Sequence, residues 1–318
     1  MRKWGFLSVH LVIGILSFML LAGCQNEAGL VKSPEITDIS ATDATESENV
    51  AGLITAPEIT DISATEKDVI FYNKNGEKLG GKIYVPDGDG KYPVVIMVAG
   101  WGGQNSDFKN FATELAGNGV VAVCYDPIGY CTPTKSDGNG LRTLVTLSGG
   151  ASDIEDIIAA LSNQPFIDKD QVYLLGHSMG GLITFYSAVE YQEKIAGYIG
   201  LEPSLSNYED WSALYPDESQ IPDEVTTPMW MSGQLLKEIL AFNPYDKMES
   251  FNKPVLLLAG TTEKSMGGAT PEILESATDL LPQSELIFIK GADHNSITKQ
   301  SEMYQAVIDF IEKCTDIN

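Results

Sequence analysis

The chain has 318 residues, 43% of them hydrophobic, which is enough for one large α/β domain and some further sequence. Asp and Glu number 44 against 20 Lys and Arg, a formal charge of −24. No basic cluster of the kind that binds phosphate backbones is present, so nucleic acid is excluded as the expected partner.

Arg2 and Lys3 precede an apolar run from Phe6 to Leu20, followed at once by Leu21-Ala22-Gly23-Cys24. The run is short for a spanning helix and has the order of a secretory signal. Its ending resembles a bacterial lipobox. That resemblance implies a signal peptide over 1–23, lipidation of Cys24 and an exported, membrane-anchored protein of the cell envelope. Residues 24–66 form an acidic tether without aromatic residues, too polar to bury a core. Within it the stretch Pro34–Thr42 recurs unchanged as Pro57–Thr65. Two copies are too few for a solenoid, and the repeat reads as a lengthened linker.

The folded domain is expected over 67–318. Val69–Tyr72 and Lys82–Val85 read as strands around the Asn75-Gly76 turn. Val94–Ala99 and Val120–Tyr125 are continuous apolar runs suited to strands buried on both faces, with a helical pattern at Phe108–Ala116 between them. A helix at Ile154–Leu161, a strand at Val172–Leu175, a helix at Ser178–Tyr191 and a strand at Ile195–Leu201 follow. Residues 203–250 break the alternation and read as an inserted cap. The pattern resumes with a strand at Val255–Ala259, a helix at Pro271–Leu281, a strand at Leu286–Ile289 and a helix at Met303–Glu312. Such alternation predicts an α/β fold with a mainly parallel sheet covered on both faces.

Gly176-His177-Ser178-Met179-Gly180-Gly181 lies between an expected buried strand and a helix. A sharp strand-to-helix turn needs small flanking residues and exposes the Ser178 hydroxyl at the crevice end of the sheet. A serine hydroxyl needs a base to become a nucleophile. Beyond His10 in the signal segment, the histidines are His177 and His294. His177 is tied into the turn itself, which leaves His294, after the last strand, as the general base; histidine is the side chain whose unperturbed titration falls near neutral pH. Two glutamates follow strands between Ser178 and His294, namely Glu202 and Glu263, and either can orient the imidazole. The oxyanion hole needs two backbone donors. Met179 N–H supplies one, and Trp101 N–H, in Gly100-Trp101-Gly102-Gly103, is expected to supply the other. Nothing in the His and Cys spacing suggests a metal, and no dinucleotide fingerprint is present, so no cofactor is expected. An oxidised Cys124–Cys131 pair and free buried thiols, with Cys314, both remain open.

At these residues the chain resembles α/β-hydrolase serine hydrolases, in particular bacterial feruloyl and cinnamoyl esterases and related acyl hydrolases. Gly176–Gly181, the run Phe251–Gly260 and Leu286–His294 carry the resemblance, which covers about 67–314. It implies the α/β-hydrolase fold, a small-molecule or lipid ester as substrate, and hydrolysis through an acyl-enzyme. It also favours Glu263 as the acid, since Gly260-Thr261-Thr262-Glu263 stands where relatives carry Gly-Thr-x-Asp. A related phospholipid-esterase group takes its acid from the earlier strand, which keeps Glu202 as the alternative. The chain departs from the pattern at Ala99-Gly100, where relatives mostly have His-Gly.

Overall fold

The apolar runs become the inner strands of a single sheet in a computed structural model of the chain, in which residues 65–205, 207–226, 230–262 and 270–316 are described. The expected signal segment, Cys24 and nearly all of the tether lie outside these residues. The first strand, β1, spans Thr65–Tyr72 and therefore takes in the last residue of the second repeat copy. A turn at Asn73–Gly76 leads to β2 (Lys78–Val85), then β3 (Tyr92–Val98), α1 (Lys109–Gly117) and β4 (Val121–Tyr125). Next come α2 (Leu147–Ser162), β5 (Ile167–His177), α3 (Met179–Glu190) and β6 (Gly197–Leu201). The segment between β6 and the next strand of the sheet holds α4 (Asn207–Leu214), the short ladder of β7 (Glu224–Val225) and β8 (Met231–Ser232), α5 (Gly233–Ala241) and α6 (Tyr245–Met248). The chain returns to the sheet with β9 (Val255–Gly260), α7 (Pro271–Leu280), β10 (Ser284–Ile289) and α8 (Ser301–Asp316).

The sheet has eight strands in the order β1-β2-β4-β3-β5-β6-β9-β10. β1 and β2 pair antiparallel, as do β2 and β4; from β4 to β10 every pairing is parallel. Alternate side chains of β3 serve opposite faces. Val94, Ile96 and Val98 join α2 and α3 in one apolar layer, while Val95 and Met97 join α1 and α8 in the other. Ile96 is fully buried, and its truncation to Ala would cost about 2–5 kcal/mol. The chain order reverses between β3 and β5: after β3 it steps to β4, then crosses back to β5. A crevice opens at the carboxyl ends of strands at such a switch point.

Several elements are longer than the sequence pattern suggests. Helix α2 starts at Leu147, where Thr146 Oγ1 accepts from Gly149 N–H at 2.9 Å. Its first turns hide behind Gly149 and Gly150, poor helix formers. Gly150 is there because α3 crosses close: a Cβ would stand 2.7 Å from Ile183 Cγ2. Strand β5 begins at Ile167, because Tyr92 pairs with Ile167 across a register irregularity ahead of the apolar core of the strand. Cys124, Cys131 and Cys314 are buried, and no disulfide joins Cys124 to Cys131 among the described residues.

Candidate active site

Strand β5 ends at His177, and Ser178 turns the chain into α3 with φ 55° and ψ −123°. A non-glycine residue with positive φ is strained, and hydrogen bonds hold it there. Ser178 N–H donates to Leu201 O at 3.1 Å, and Ser178 O accepts from Gly181, Leu182 and Ser204 N–H at 2.9–3.2 Å. The flanking glycines are steric requirements. A Cβ on Gly176 would stand 2.3 Å from Gly180 O, and one on Gly180 would stand 2.2 Å from Ala99 O. The pattern of small residues thus produces the turn, and the turn lifts the Ser178 side chain to the half-exposed carboxyl edge.

His294 follows β10 in a turn fastened by Asp293, whose Oδ1 accepts from Asn295 N–H, Ser296 N–H and Ser296 Oγ at 2.7–3.1 Å. Asp293 is therefore a loop-forming residue. The His294 ring is 6% exposed, and its Nδ1 lies 2.7 Å from Glu202 Oε2. Glu202, at 1% exposure, uses its other oxygen, Oε1, to accept from Gly260 N–H at 2.7 Å. Its own N–H donates to Leu258 O at 2.8 Å, and it too has positive φ, 41°. Both carboxylate oxygens are thus engaged, one by the backbone of β9 and one by the imidazole. Glu263, the acid the resemblance favours, lies outside the described residues; the carboxylate set against His294 among the described residues is that of Glu202. The reason is lateral strand order. Strand β6 lies beside β5, with His177 in register with Leu201, so the residues after these two strands, Ser178 and Glu202, are neighbours. Among the described residues no hydrogen bond joins Ser178 Oγ to His294; such contacts are frequently loose before substrate is bound.

His177 has a function beyond filling the turn. Its Nε2 donates to the backbone carbonyl of His294 at 2.8 Å, and the two rings stand 4.7 Å apart. Burial, and then the neighbouring His294, push the His177 imidazole down to about 3, against the opposing pull of the carbonyl bond. It is accordingly neutral at working pH, with its proton on the nitrogen that faces the carbonyl.

The loop after β3 passes beside the turn. A Cβ on Gly100 would stand 3.3 Å from Ser178 Cβ and 2.9 Å from His177 Nδ1, so only glycine permits this approach. Gly103 N–H donates to Gly100 O at 2.8 Å and rounds the loop. Neither Trp101 N–H nor Met179 N–H is taken by another described residue, which suits donors to an external oxygen. Asp126 at the end of β4 ties the neighbouring loops together, accepting from Asn105 N–H, Asn105 Nδ2 and Thr134 Oγ1 at 2.6–2.8 Å. Among the described residues no group of three or more His, Cys, Asp or Glu side chains is placed to hold a metal ion.

Strand order, switch point and turn together define an α/β-hydrolase fold. The family model described as Serine aminopeptidase, S33 matches residues 91–244, a stretch that includes Trp101, Ser178, Met179 and Glu202 and stops short of His294. Esterase EstD of Thermotoga maritima is 29% identical over 154 residues, 46% of this chain and 34% of EstD, so the chain spans about a third of that relative. A putative carboxymethylenebutenolidase of Synechocystis is 23% identical over 239 residues, 72% of this chain and 85% of its own. Among solved structures, Est1E from Butyrivibrio proteoclasticus with bound ferulic acid superposes with a TM-score of 0.63 at 22% identity, covering 75% of this chain and 94% of that one.

Proposed function

We propose that the chain is a serine hydrolase acting on carboxylic esters, with Ser178 as nucleophile, His294 as general base and Glu202 as the acid. The observation that carries this reading is the buried contact between His294 Nδ1 and Glu202 Oε2, beside the strained serine turn. In the mechanism Ser178 Oγ attacks the ester carbonyl and passes its proton to His294 Nε2. Glu202 holds the imidazole with its proton on Nδ1 and stabilises the imidazolium as it forms. The N–H groups of Trp101 and Met179 receive the developing oxyanion, and the start of α3 favours the same negative charge. His294 then protonates the departing alcohol, and a water activated by His294 cleaves the acyl-enzyme. A fluorophosphonate probe is expected to label Ser178, and a panel of p-nitrophenyl and hydroxycinnamoyl esters to be cleaved. A folded protein that takes no label and cleaves no ester would instead be a binding protein on a hydrolase scaffold.

The match to an aminopeptidase family model supports a second reading, cleavage of a short peptide. Aminoacyl p-nitroanilides in the same panel separate the two. The lipobox-like sequence ending at Cys24 supports an envelope-anchored enzyme whose acidic tether holds it away from the lipid surface.

A further inference from the structure

The chain contains two arginines, Arg2 and Arg142. Arg142 opens a single 3-10 turn, Arg142–Leu144, in the loop between β4 and α2. Parallel strands β4, β3 and β5 are neighbours, so their following loops lie side by side at the carboxyl edge: first Arg142's loop, then Gly100–Gly103, then Ser178. The contacts agree. The Arg142 guanidinium carbon is 5.4 Å from the centre of the Trp101 ring, and a Cβ on Gly102 would stand 2.5 Å from an Arg142 Nη. Tyr130, from the same loop, packs edge-on to Trp101 at 5.2 Å and donates its hydroxyl to Ala99 O at 3.1 Å. On the far side the turn meets the segment between β6 and β9, where Ser232 Oγ donates to Val145 O and Glu238 accepts from Ser148 N–H and Oγ. Arg142 thus stands between the oxyanion loop and that segment, where the substrate of the proposed reaction would extend.

No hydrogen bond or ion pair engages the Arg142 side chain among the described residues. Its guanidinium rests over the Trp101 ring and acts electrostatically on the nearby Tyr130 hydroxyl. Asp107, beside Gly103, spends its Oδ2 on Gln104 N–H instead. The buried Trp101 Nε1 likewise has no partner. A guanidinium held against an aromatic ring keeps its N–H edges free, and those edges match a carboxylate in a bidentate pair. The flanking Leu141 and Leu144 are 58% and 51% exposed, an apolar border that suits a hydrocarbon chain better than water.

We infer that Arg142 selects esters that carry a carboxylate at the far end of an apolar chain from the bond cleaved. The inference rests on the serine-hydrolase reading and adds the substrate class. Binding the carboxylate at Arg142 would lay the chain along Gly100–Gly103 and bring the ester carbonyl to Ser178. It would also offset the repulsion of an anionic substrate by the −24 chain.

The test compares mono-p-nitrophenyl suberate with p-nitrophenyl octanoate, which have acyl chains of equal length and differ in the terminal carboxylate. For each enzyme the readout is the ratio of kcat/KM for the acidic ester to kcat/KM for the neutral one. Arg142→Gln is expected to lower this ratio roughly 10- to 100-fold relative to the unaltered protein, as loss of a charge-assisted pair would. Arg142→Lys is expected to keep part of it, and the ratio should fall with added salt only where the cation remains. A ratio that stays within about twofold in Arg142→Gln overturns the inference and leaves the esterase reading intact. A protein that cleaves neither ester and takes no fluorophosphonate label overturns both.

Discussion

Exchanging Glu202 for Gln changes few atoms and poses a problem the site cannot solve. Glu202 Oε1 accepts from Gly260 N–H and Oε2 meets His294 Nδ1, both at 2.7 Å. A glutamine amide has one acceptor oxygen and one donor nitrogen. If the oxygen stays with Gly260, the NH2 faces His294, whose Nδ1 must then be the bare nitrogen. The ring proton moves to Nε2, the nitrogen that has to receive the Ser178 proton. If the amide turns over, the imidazole keeps its useful tautomer, but two N–H groups then face each other at Gly260. An unsatisfied buried donor costs about 1–3 kcal/mol. That favours the first arrangement by roughly five- to 150-fold, and the turned-over minority still lacks the charge that stabilises imidazolium. Removing the acid charge from such a triad costs on the order of 10⁴ in kcat, equivalent to about 5 kcal/mol of barrier. We therefore expect Glu202→Gln to lose three to four orders of magnitude in kcat/KM on an activated ester, while Tm and far-UV circular dichroism stay close to those of the unaltered protein. Glu263→Gln, measured alongside, should lose less than tenfold. A near-normal Glu202→Gln with a crippled Glu263→Gln would refute the reasoning.

Ser178→Ala and His294→Ala are each expected to abolish ester cleavage in a protein that still folds; retention of more than a few per cent of kcat in either would remove the triad. Asp153, 5% exposed and bonded to Asn73 Nδ2 at 3.0 Å, is pushed up to about 7, chiefly by burial. The folded state therefore holds that proton more tightly than the unfolded chain, so the stabilisation is complete below about 3.8 and is lost as pH rises through about 7. Asp153→Asn should flatten this slope, worth on the order of 4 kcal/mol at most, and be the more stable protein at pH 8; parallel denaturation curves at pH 5 and 8 for both proteins would contradict it. Gly180→Ala forces a Cβ to within 2.2 Å of Ala99 O and should lower stability by about 2 kcal/mol or more and misplace Ser178, seen as joint losses in Tm and kcat. Cys24→Ala should release the protein from membranes into the soluble fraction if the lipid anchor is there, and undiminished partition would dismiss the anchor.

What could be seen in the chain before folding was local. The runs Val94–Ala99 and Val120–Tyr125 announce buried strands because apolar residues fill both faces, and Gly176 and Gly180 announce the serine turn because no larger residue fits it. His294 was found by elimination among three histidines. The acid was not legible, because Glu202 and Glu263 have the same chemistry and both follow strands. The distinction depends on which strand lies next to β5 and on the register of that pairing, and no local pattern encodes either. Arg142 carries a signal in composition alone: it is the one arginine beyond the basic start of the chain. His177 gave none, since its bond to His294 O joins residues 117 positions apart.

Ser178 and Glu202 each follow the last residue of a strand, His177 and Leu201, and those two residues are register partners in adjacent parallel strands. Their separation is therefore inherited from the strand spacing of a sheet, about 4.8 Å, and each of the two has positive φ. A carboxylate mounted this way is tied to the serine turn by the sheet itself rather than by a loop. The start of the stretch after β9 braces the turn of the base instead: Thr261 Oγ1 accepts from Gly291 N–H at 2.8 Å, and Thr262 donates to Ala292 O through its N–H and Oγ1 at 3.0 and 2.6 Å. Anyone wishing to graft a binding loop or a reporter peptide beside the active site should spare Thr261 and Thr262, because a cut there would loosen the turn that carries His294.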